Sequence, residues 1–169
     1  MTLEQPLAVR PPRTLAEAAE AHLDDVLGYL LYLTRDRETA EDLTSATFEK
    51  ALRLWARFDA TRGSARTWLL GIARTTALDW FRAETRRRKR EEAAALPERV
   101  DEAFAEGLSP ALEAALAALS AGEREVLALR IVLELDGDAT ARVLGISPTA
   151  VSTRLSRALK RLEERVNEE

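Results

Sequence analysis

Apolar side chains recur every three or four residues in the first half of the chain, which is the spacing of one face of an α-helix. The first run begins near residue 15 and is marked by Leu23, Val26, Leu27, Leu30, Leu31 and Leu33. The sequence TRDRET ends this run, and a second amphipathic run covers about 38–55. After the loop RFDATRGS, with Gly63 as a helix breaker and Ser64 as a candidate N-cap, a third run covers about 65–90. The pattern predicts three consecutive helices.

The second half of the chain shows the same periodicity after an interruption at 91–108, where acidic residues and alanines are mixed with Pro97 and Gly107. This composition predicts a flexible linker. Ser109 and Pro110 then offer an N-cap and a first helical residue, and helices are predicted at about 110–118, 121–135, 138–144 and 147–166. The predicted fold class is all-α, with a disordered leader at 1–14, one small helical domain at 15–90, the linker at 91–108 and a second small helical domain at 109–169.

The last two predicted helices have the spacing of a helix-turn-helix. Ala141 is the small residue that lets the helices approach, Gly145 allows a positive φ in the turn, and Val151 fills the gap between them. Ser147 and Pro148 are suited to begin the second helix. Opposite its predicted core face lie Thr149, Thr153, Ser156, Arg157 and Lys160. This arrangement is typical of a recognition helix in the major groove of DNA, and a plain amphipathic hairpin is the alternative.

The 169-residue chain has no cysteine and a single histidine, which limits its chemistry. Without cysteine there is no disulfide, no thiolate nucleophile and no thiol ligand for zinc, and one imidazole leaves little for acid–base catalysis. No apolar run approaches the roughly 18 residues of a membrane span, and the N-terminal sequence lacks the apolar core of a signal peptide. We therefore expect a cytoplasmic protein with no enzymatic activity, no cofactor, no metal site and no membrane insertion.

The formal net charge of −4 conceals a strong alternation of charge along the chain. Basic residues outnumber acidic ones by eleven to three in 53–90 and by six to two in 142–165, whereas acidic residues outnumber basic ones by nine to two in both 15–49 and 91–125. Salt screens charges over about 8 Å, so a distant acidic segment has little effect on a basic surface. Two basic segments predict two contacts with nucleic acid, although ordinary solvated helix faces have a similar composition.

Two long segments resemble bacterial RNA polymerase sigma factors. The segment ETAEDLTSATFEKALRLWARFDATRGSARTWLLGIARTTALDWFR resembles their region two, and AALAALSAGEREVLALRIVLELDGDATARVLGISPTAVSTRLSRALKRL resembles their region four. With these two regions in the family order and a linker between them, the chain is identified as a member of the extracytoplasmic-function (ECF) group. The resemblance implies binding to core RNA polymerase, recognition of the −10 and −35 promoter elements, and help in promoter melting.

The resemblance also implies roles for residues of region two. The sequence AEDLTSATFEKAL would bind the clamp helices of the polymerase β′ subunit through Asp42, Leu43, Phe48 and Glu49. The third helix and the loop before it would hold the melted −10 strand, which requires a pocket for an extruded base and cations for the backbone. The implied −10 residues are Phe58, Arg62, Arg66, Trp68, Arg74, Thr75, Asp79 and Arg82. From the residues alone, Trp68 is equally a core aromatic, Asp79 a buried hydrogen-bond partner, and the run RRRKR at 86–90 a solvated helix end.

Region four would recognise the −35 element. The implied residues are Arg130, Thr149, Ser152, Thr153, Arg154, Ser156, Arg157 and Lys160. Among them Ser152, Thr153, Ser156 and Arg157 are expected to contact bases, and Arg130, Arg154 and Lys160 to contact phosphates. The resemblance further implies contact with the polymerase β flap, an anti-sigma factor that covers the polymerase-binding faces, and an acidic linker that occupies the channel of the nascent RNA.

Two other functions are compatible with parts of the sequence. A helix-turn-helix regulator of another class would use the N-terminal helices for dimerisation or sensing, and it would bind a palindromic site without polymerase. An enzyme is the third hypothesis, and the lack of cysteine, the single histidine and the lack of a phosphate-binding loop oppose it. The segment that resembles region two distinguishes the sigma-factor hypothesis from both.

Overall fold

Helices form every regular element in the part of the chain that the computed structural model describes, residues 12–91 and 108–167. In chain order they are α1 (Leu15–Thr34), α2 (Arg37–Leu54), α3 (Ala65–Glu91), α4 (Pro110–Ala117), α5 (Ala121–Leu127), α6 (Gly137–Leu144) and α7 (Pro148–Val166). A 3₁₀ turn at Trp55–Arg57 follows α2, and a π turn at Ala128–Val132 follows α5. The all-α fold class is thus confirmed, whereas most of the predicted leader and linker lies outside the described residues. Within the two ranges, none of the helices combines the length and apolar character that crossing a membrane requires.

Side-chain caps set the boundaries of the first three helices. Arg35 adopts a left-handed conformation at the end of α1. Directly after it, the Asp36 carboxylate accepts a hydrogen bond from the Thr39 N–H at 3.0 Å and begins α2. At the start of α3 the Ser64 hydroxyl accepts a hydrogen bond from the Thr67 N–H at 3.1 Å. The boundaries predicted at TRDRET and at Ser64 are therefore confirmed.

Helices α1, α2 and α3 pack against one another around aliphatic side chains. Val26 and Leu30 of α1 and Leu69 and Leu70 of α3 are fully buried in one cluster. Full burial of such a side chain contributes about 1.5–3 kcal/mol, so these contacts hold the first turns of α3 firmly in place. The end of α3 differs, because the side chains of the run at 86–90 are all exposed.

The helix-turn-helix forms from α6 and α7 as the spacing predicts. Gly145 ends α6 with φ at 65°, and the Ser147 hydroxyl accepts a hydrogen bond from the Ala150 N–H at 3.1 Å to begin α7. Ala141 is 6% exposed and Val151 is 1% exposed, so the small residue and the plug are both inside the contact between the two helices. The turn therefore has its glycine, the second helix has its cap, and the contact between the helices has a small residue and a filling side chain, as a helix-turn-helix requires.

The helix predicted at 121–135 is interrupted. The Leu133 N–H bonds the Ala128 carbonyl, five residues earlier, at 2.9 Å. Glu134 then adopts a positive φ of 53°, and Asp136 begins α6 by accepting a hydrogen bond from the Ala139 N–H at 2.7 Å. The apolar periodicity continues through this segment and did not predict the π turn.

The helical segments 12–91 and 108–167 are in direct contact with each other. Helix α3 packs against α6, and α1 packs against the π turn. One continuous buried cluster contains Leu69 and Ala73 of α3, Leu129 of the π turn and Val143 of α6. A second cluster inside the later segment consists of Leu116, Leu119, Leu127 and Ala158. Periodicity shows which face of a helix is buried but not what covers it, so the shared core was not predicted.

We expect Gly145→Ala to lower the free energy of unfolding by about 1–2 kcal/mol, because a side chain is strained at the positive φ of this turn. Urea unfolding monitored by circular dichroism measures the change. Gly28→Ala in α1 is the matched control: nothing lies within 4 Å of the added Cβ, and alanine prefers a helix over glycine by about 1 kcal/mol, so stability should rise. Equal effects of the two substitutions would contradict the prediction.

Candidate nucleic-acid interface

An open cleft of about 430 Å³ lies between the 3₁₀ turn and the first half of α3. Its aromatic lining consists of Phe58 and Trp68, whose ring centroids are 5.4 Å apart, and the ring of Phe58 stacks on Trp55, which does not line the cleft, with centroids 4.9 Å apart. The cleft is further lined by Arg57, Asp59, Arg62, Gly63, Ser64, Thr67, Gly71, Ile72, Thr75 and Arg142. Aromatic faces bordered by guanidinium groups are suited to bind an unstacked base and its backbone.

A rigid turn holds the aromatic side of the cleft in place. Asp59 accepts hydrogen bonds from the Thr61 N–H at 2.9 Å and from the Thr61 hydroxyl at 2.6 Å. These hydrogen bonds lower the pKa of Asp59, so its carboxylate stays ionised and continues to brace the turn. The Phe58 N–H bonds the Trp55 carbonyl at 2.9 Å, which closes the 3₁₀ turn beneath the stacked rings. The backbone between α2 and α3 therefore presents the rings in a defined orientation.

Four of the predicted −10 residues line this cleft, namely Phe58, Arg62, Trp68 and Thr75. Trp68 also packs against the buried cluster, so it has the role of a core aromatic, and its contact with DNA stays a prediction. Arg57 lines the same cleft and Trp55 stacks on Phe58, but neither was predicted as a site residue. The aromatic pair Trp55 and Phe58, three positions apart at a helix end, is the signal in the sequence that points to them.

The other predicted −10 residues lie outside the cleft. The Arg66 Nε bonds the Asp25 carboxylate at 2.6 Å. Asp79 is exposed rather than buried, with the Lys50 Nζ at 3.6 Å and an Arg82 guanidinium nitrogen at 3.4 Å from its carboxylate. Arg66 and Asp25 thus join α3 to α1, while Asp79 organises the basic surface farther along α3.

Arg74, the remaining −10 candidate, is paired with a residue of the second segment. Its Nε lies 2.7 Å from Oε1 of Glu125, and its Nη2 lies 3.3 Å from Oε2. The Tyr29 hydroxyl donates a further hydrogen bond to Oε1 at 2.8 Å. Burial, reinforced by the neighbouring Glu125 carboxylate, raises the pKa of Tyr29 well above its usual value, so the phenol remains a donor. The network contains one charge of each sign and one neutral donor.

The predicted −35 residues of α7 lie on one exposed face, which consists of Thr149, Ser152, Thr153, Ser156, Arg157 and Lys160. Arg154 is half-buried beside Gly122 of α5, and with Arg157 it lines a groove of about 470 Å³. Short polar side chains in the centre and cations at the border are the arrangement that groove recognition requires. Helix α7 therefore presents a polar and basic surface away from the core.

Glu123 fixes the position of this face relative to α5. Its Oε2 accepts hydrogen bonds from the Ser120 N–H at 2.9 Å, the Ser120 hydroxyl at 2.8 Å and an Arg161 guanidinium nitrogen at 2.8 Å. Burial favours protonation of this carboxyl, but the hydrogen bonds from Ser120 and Arg161 outweigh burial and lower the pKa of Glu123 from its usual 4.5. The start of α5 is thus joined to the recognition helix through one ionised group.

Two predicted contact residues are engaged inside the protein. The Arg130 guanidinium, a predicted phosphate contact, donates to the Leu135 carbonyl at the end of the π turn and so braces that turn. Leu43, a predicted polymerase contact, is 7% exposed and belongs to the core. Of its predicted companions, Asp42 and Glu49 are exposed and Phe48 is half-buried. The sequence pattern did not separate the buried member of this set from its exposed members, and their contact with the polymerase stays a prediction.

Comparison with known families finds two matches along the chain. The family model described as Sigma-70 region 2 matches residues 18–87, and the one described as Sigma-70, region 4 matches residues 109–162. The chain is 36% identical over 150 residues to the ECF RNA polymerase sigma factor SigC of Mycobacterium tuberculosis, covering 86% of this chain and 80% of SigC. It is 29% identical over 164 residues to the ECF RNA polymerase sigma factor SigX of Bacillus subtilis, covering 86% of this chain and 79% of SigX.

Solved structures share the fold. The sigma factor RpoE of Bartonella quintana, solved in complex with the anti-sigma factor NepR, superimposes with a TM-score of 0.76 at 22% identity, covering 90% of this chain and 96% of that one. CnrH, solved in complex with the cytosolic domain of CnrY, gives a TM-score of 0.67 at 22% identity, covering 92% of this chain and 88% of that one. At these identities the likeness concerns the arrangement of the helices.

We expect Glu123→Gln to lower the free energy of unfolding by about 1–2 kcal/mol near neutral pH, because the amide replaces a charged acceptor in the cap of α5. The folded-state pKa of Glu123 is depressed, so its contribution is present above about pH 4.5 and is lost as the pH falls through the folded-state value. The difference between the parent and the variant should therefore shrink on acidification. Urea unfolding at a series of pH values measures it, with Glu164→Gln, an exposed position on α7, as the control. A difference that does not change with pH would contradict this role.

Proposed function

Because the chain belongs to the sigma-70 family of RNA polymerase sigma factors, in the ECF group, we propose that it is a promoter-specificity subunit of RNA polymerase. It binds core RNA polymerase and directs initiation of transcription at selected promoters. The single observation that carries this function is the presence of both matched regions, in order, on one chain. Sigma factors are non-catalytic initiation factors, and we infer that this chain likewise has no active site and works in the cytoplasm beside the polymerase.

The cleft of region 2 (residues 18–87) is proposed to hold a base of the melted −10 strand. The rings of Phe58 and Trp68 line the cleft and offer aromatic surface to a base that has left the duplex, and Trp55 supports Phe58 by stacking on it. Arg57 and Arg62 lie at the cleft and are exposed, so they can reach the backbone phosphates. We propose Arg66, Arg74, Thr75, Asp79 and Arg82 as the wider −10 surface of α3.

The exposed face of α7 in region 4 (residues 109–162) is proposed to recognise the −35 element. Ser152, Thr153 and Ser156 are short enough for the backbone of α7 to approach base edges, and Arg157 can donate two hydrogen bonds to a guanine. Arg154 and Lys160 are proposed to contact phosphates beside it. Arg130 braces the π turn through the Leu135 carbonyl, and its contact with a phosphate stays a prediction.

The exposed side of α2 is proposed to bind the polymerase clamp. Asp42, Glu49 and Phe48 provide two carboxylates and an aromatic ring there, and Leu43 supports them from below. Leu52, 69% exposed on the same helix, adds an apolar contact that was not predicted. The similarity to sigma factors that were solved with anti-sigma factors supports an anti-sigma partner for this chain as well, and the β flap is proposed as a contact of region 4.

Transcription in vitro tests this function directly. Purified chain and core polymerase are incubated with fragments of the source genome, and transcript ends are mapped. We expect initiation at a limited set of sites that share two sequence elements and that are silent with core polymerase alone. Absence of initiation on every fragment would overturn the proposal. Tight binding to a palindromic site without polymerase would instead support a helix-turn-helix regulator of another class.

We expect Arg157→Ala to weaken use of a mapped promoter by about 1–3 kcal/mol at one or two base pairs of the −35 element. The loss should disappear when those base pairs are already mutated, because the contact is with the bases. Lys160→Ala should weaken binding about equally on all −35 sequences and reduce its salt dependence, as expected for a phosphate contact. Promoter variants assayed with both proteins distinguish the two. A uniform loss for Arg157→Ala would reassign that residue to the backbone.

A further inference from the structure

Gly71 lies inside α3, on the wall of the cleft that is proposed to hold a −10 base (the −10 cleft), and its presence there has no explanation within the fold. A glycine in a helix interior costs about 1 kcal/mol relative to alanine. The backbone at Gly71 is helical and has no positive φ. A Cβ added there would have no atom of another element within 4 Å. Neither backbone conformation nor packing therefore requires this glycine.

The residues around Gly71 form one stripe along α3. Thr67, Trp68, Ile72 and Thr75 line the cleft together with it, at the spacing of one helix face. A helical side chain covers the turn that precedes its own Cα, so a side chain at position 71 would lie over Thr67 and Trp68. Because Gly71 is half-buried among these residues, the space that it leaves open belongs to the cleft.

The two rings of the cleft leave no slot between them. The centroids of Phe58 and Trp68 are 5.4 Å apart and the ring planes are inclined at 50°, so the rings are in contact with each other. A base in the cleft therefore lies against the outer surface of the rings. Beside Trp68 on the same helix face, about one helical turn farther along α3, the wall is the backbone of Gly71. A base that stacks on Trp68 and extends along α3 comes over this glycine.

The far end of the stripe is also low. The Thr75 hydroxyl donates a hydrogen bond to the Ile72 carbonyl at 2.9 Å, so it is turned toward its own helix. The wall from Trp68 to Thr75 thus has room for a flat group that is longer than a single ring. Purines and pyrimidines both stack on aromatic side chains, but a purine has a second fused ring that extends farther from the point of stacking. The residue at position 71 therefore limits the size of the base.

We propose that Gly71 determines which bases the −10 cleft accepts: the side chain that it lacks leaves room for the second ring of a purine. The protein then prefers a purine at the corresponding position of the −10 strand. This inference rests on the proposed function, because it requires a −10 base in the cleft. One additional methylene group in a hydrophobic site changes discrimination by about 10–200-fold, and an open cleft belongs at the lower end of this range.

Transcription by the complex of this chain with core polymerase tests the inference. On a mapped promoter, each position of the −10 element is changed in turn to all four bases, and initiation is measured with the parent, Gly71→Ala and Gly71→Leu. Gly28→Ala and Gly28→Leu are the matched controls, because Gly28 is also inside a helix and a Cβ there would meet nothing within 4 Å. Alanine and leucine both favour a helix over glycine, so urea unfolding should find all four variants at least as stable as the parent.

We expect one position of the −10 element at which the parent prefers a purine. At that position Gly71→Leu should lower the ratio of initiation with a purine to initiation with a pyrimidine by about tenfold. Gly71→Ala should lower the ratio by a smaller factor, and the two Gly28 variants should keep the parent's ratio. An abasic nucleotide at the same position should abolish the difference between the parent and Gly71→Leu, because no base remains to conflict with the added side chain.

Two results overturn the inference while the proposed function stands. One is a parent that initiates at promoters but prefers a purine at no −10 position. The other is a Gly71→Leu variant that keeps the parent's ratio, or that loses initiation equally with all four bases and with the abasic nucleotide. A parent that initiates at no promoter overturns the proposed function and this inference with it, so the two failures are distinguishable.

Discussion

A carboxylate enclosed by protein must be paired, and in this protein that constraint falls on Glu125. Both of its partners, Tyr29 and Arg74, come from the other helical segment, so the pairing fixes α5 against α1 and α3. The shared apolar core lies beside this pairing and is likewise formed by residues of both helical segments. Separating the halves exposes apolar surface but also returns two charges to water, which recovers part of the cost. A contact of this mixed kind combines the burial of apolar surface with the geometric specificity of a paired charge.

The parts of the fold that sequence analysis predicted correctly are those with local causes. Asp36 caps α2 through a residue three positions away, Ser147 does the same for α7, and Gly145 supplies a positive φ that its own position demands. Each of these residues acts on the backbone within one helical turn of its own position, so the local sequence is sufficient to predict the boundary. The π turn was not predicted. It is defined by the hydrogen bond from the Leu133 N–H to the Ala128 carbonyl, and no residue type in this segment indicates that such a bond will form.

For the candidate site, sequence analysis could predict which face of a helix a residue lies on, but not which residues of other helices it contacts. The exposed face of α7 follows from periodicity, and the aromatic rings at the start of α3 follow from the family resemblance. Leu43 and Arg130 have the residue types of contact residues, yet Leu43 is buried in the core and the half-buried Arg130 donates a hydrogen bond to the Leu135 carbonyl. Arg142 reaches a carbonyl 80 positions away, and periodicity contains no information about such a pairing.

The π turn at Ala128–Val132 also sets the rotational phase of everything that follows it. An α-helix advances about 100° per residue, so the additional residue in this turn determines which side of α6 meets α3. With one residue fewer, α6 would be rotated by about 100° relative to α3, which would turn Arg142 away from the cleft. The number of residues in one turn thus determines how α6 and α7 are aligned with α3, and an insertion or deletion of one residue there would change the side of α6 that faces α3.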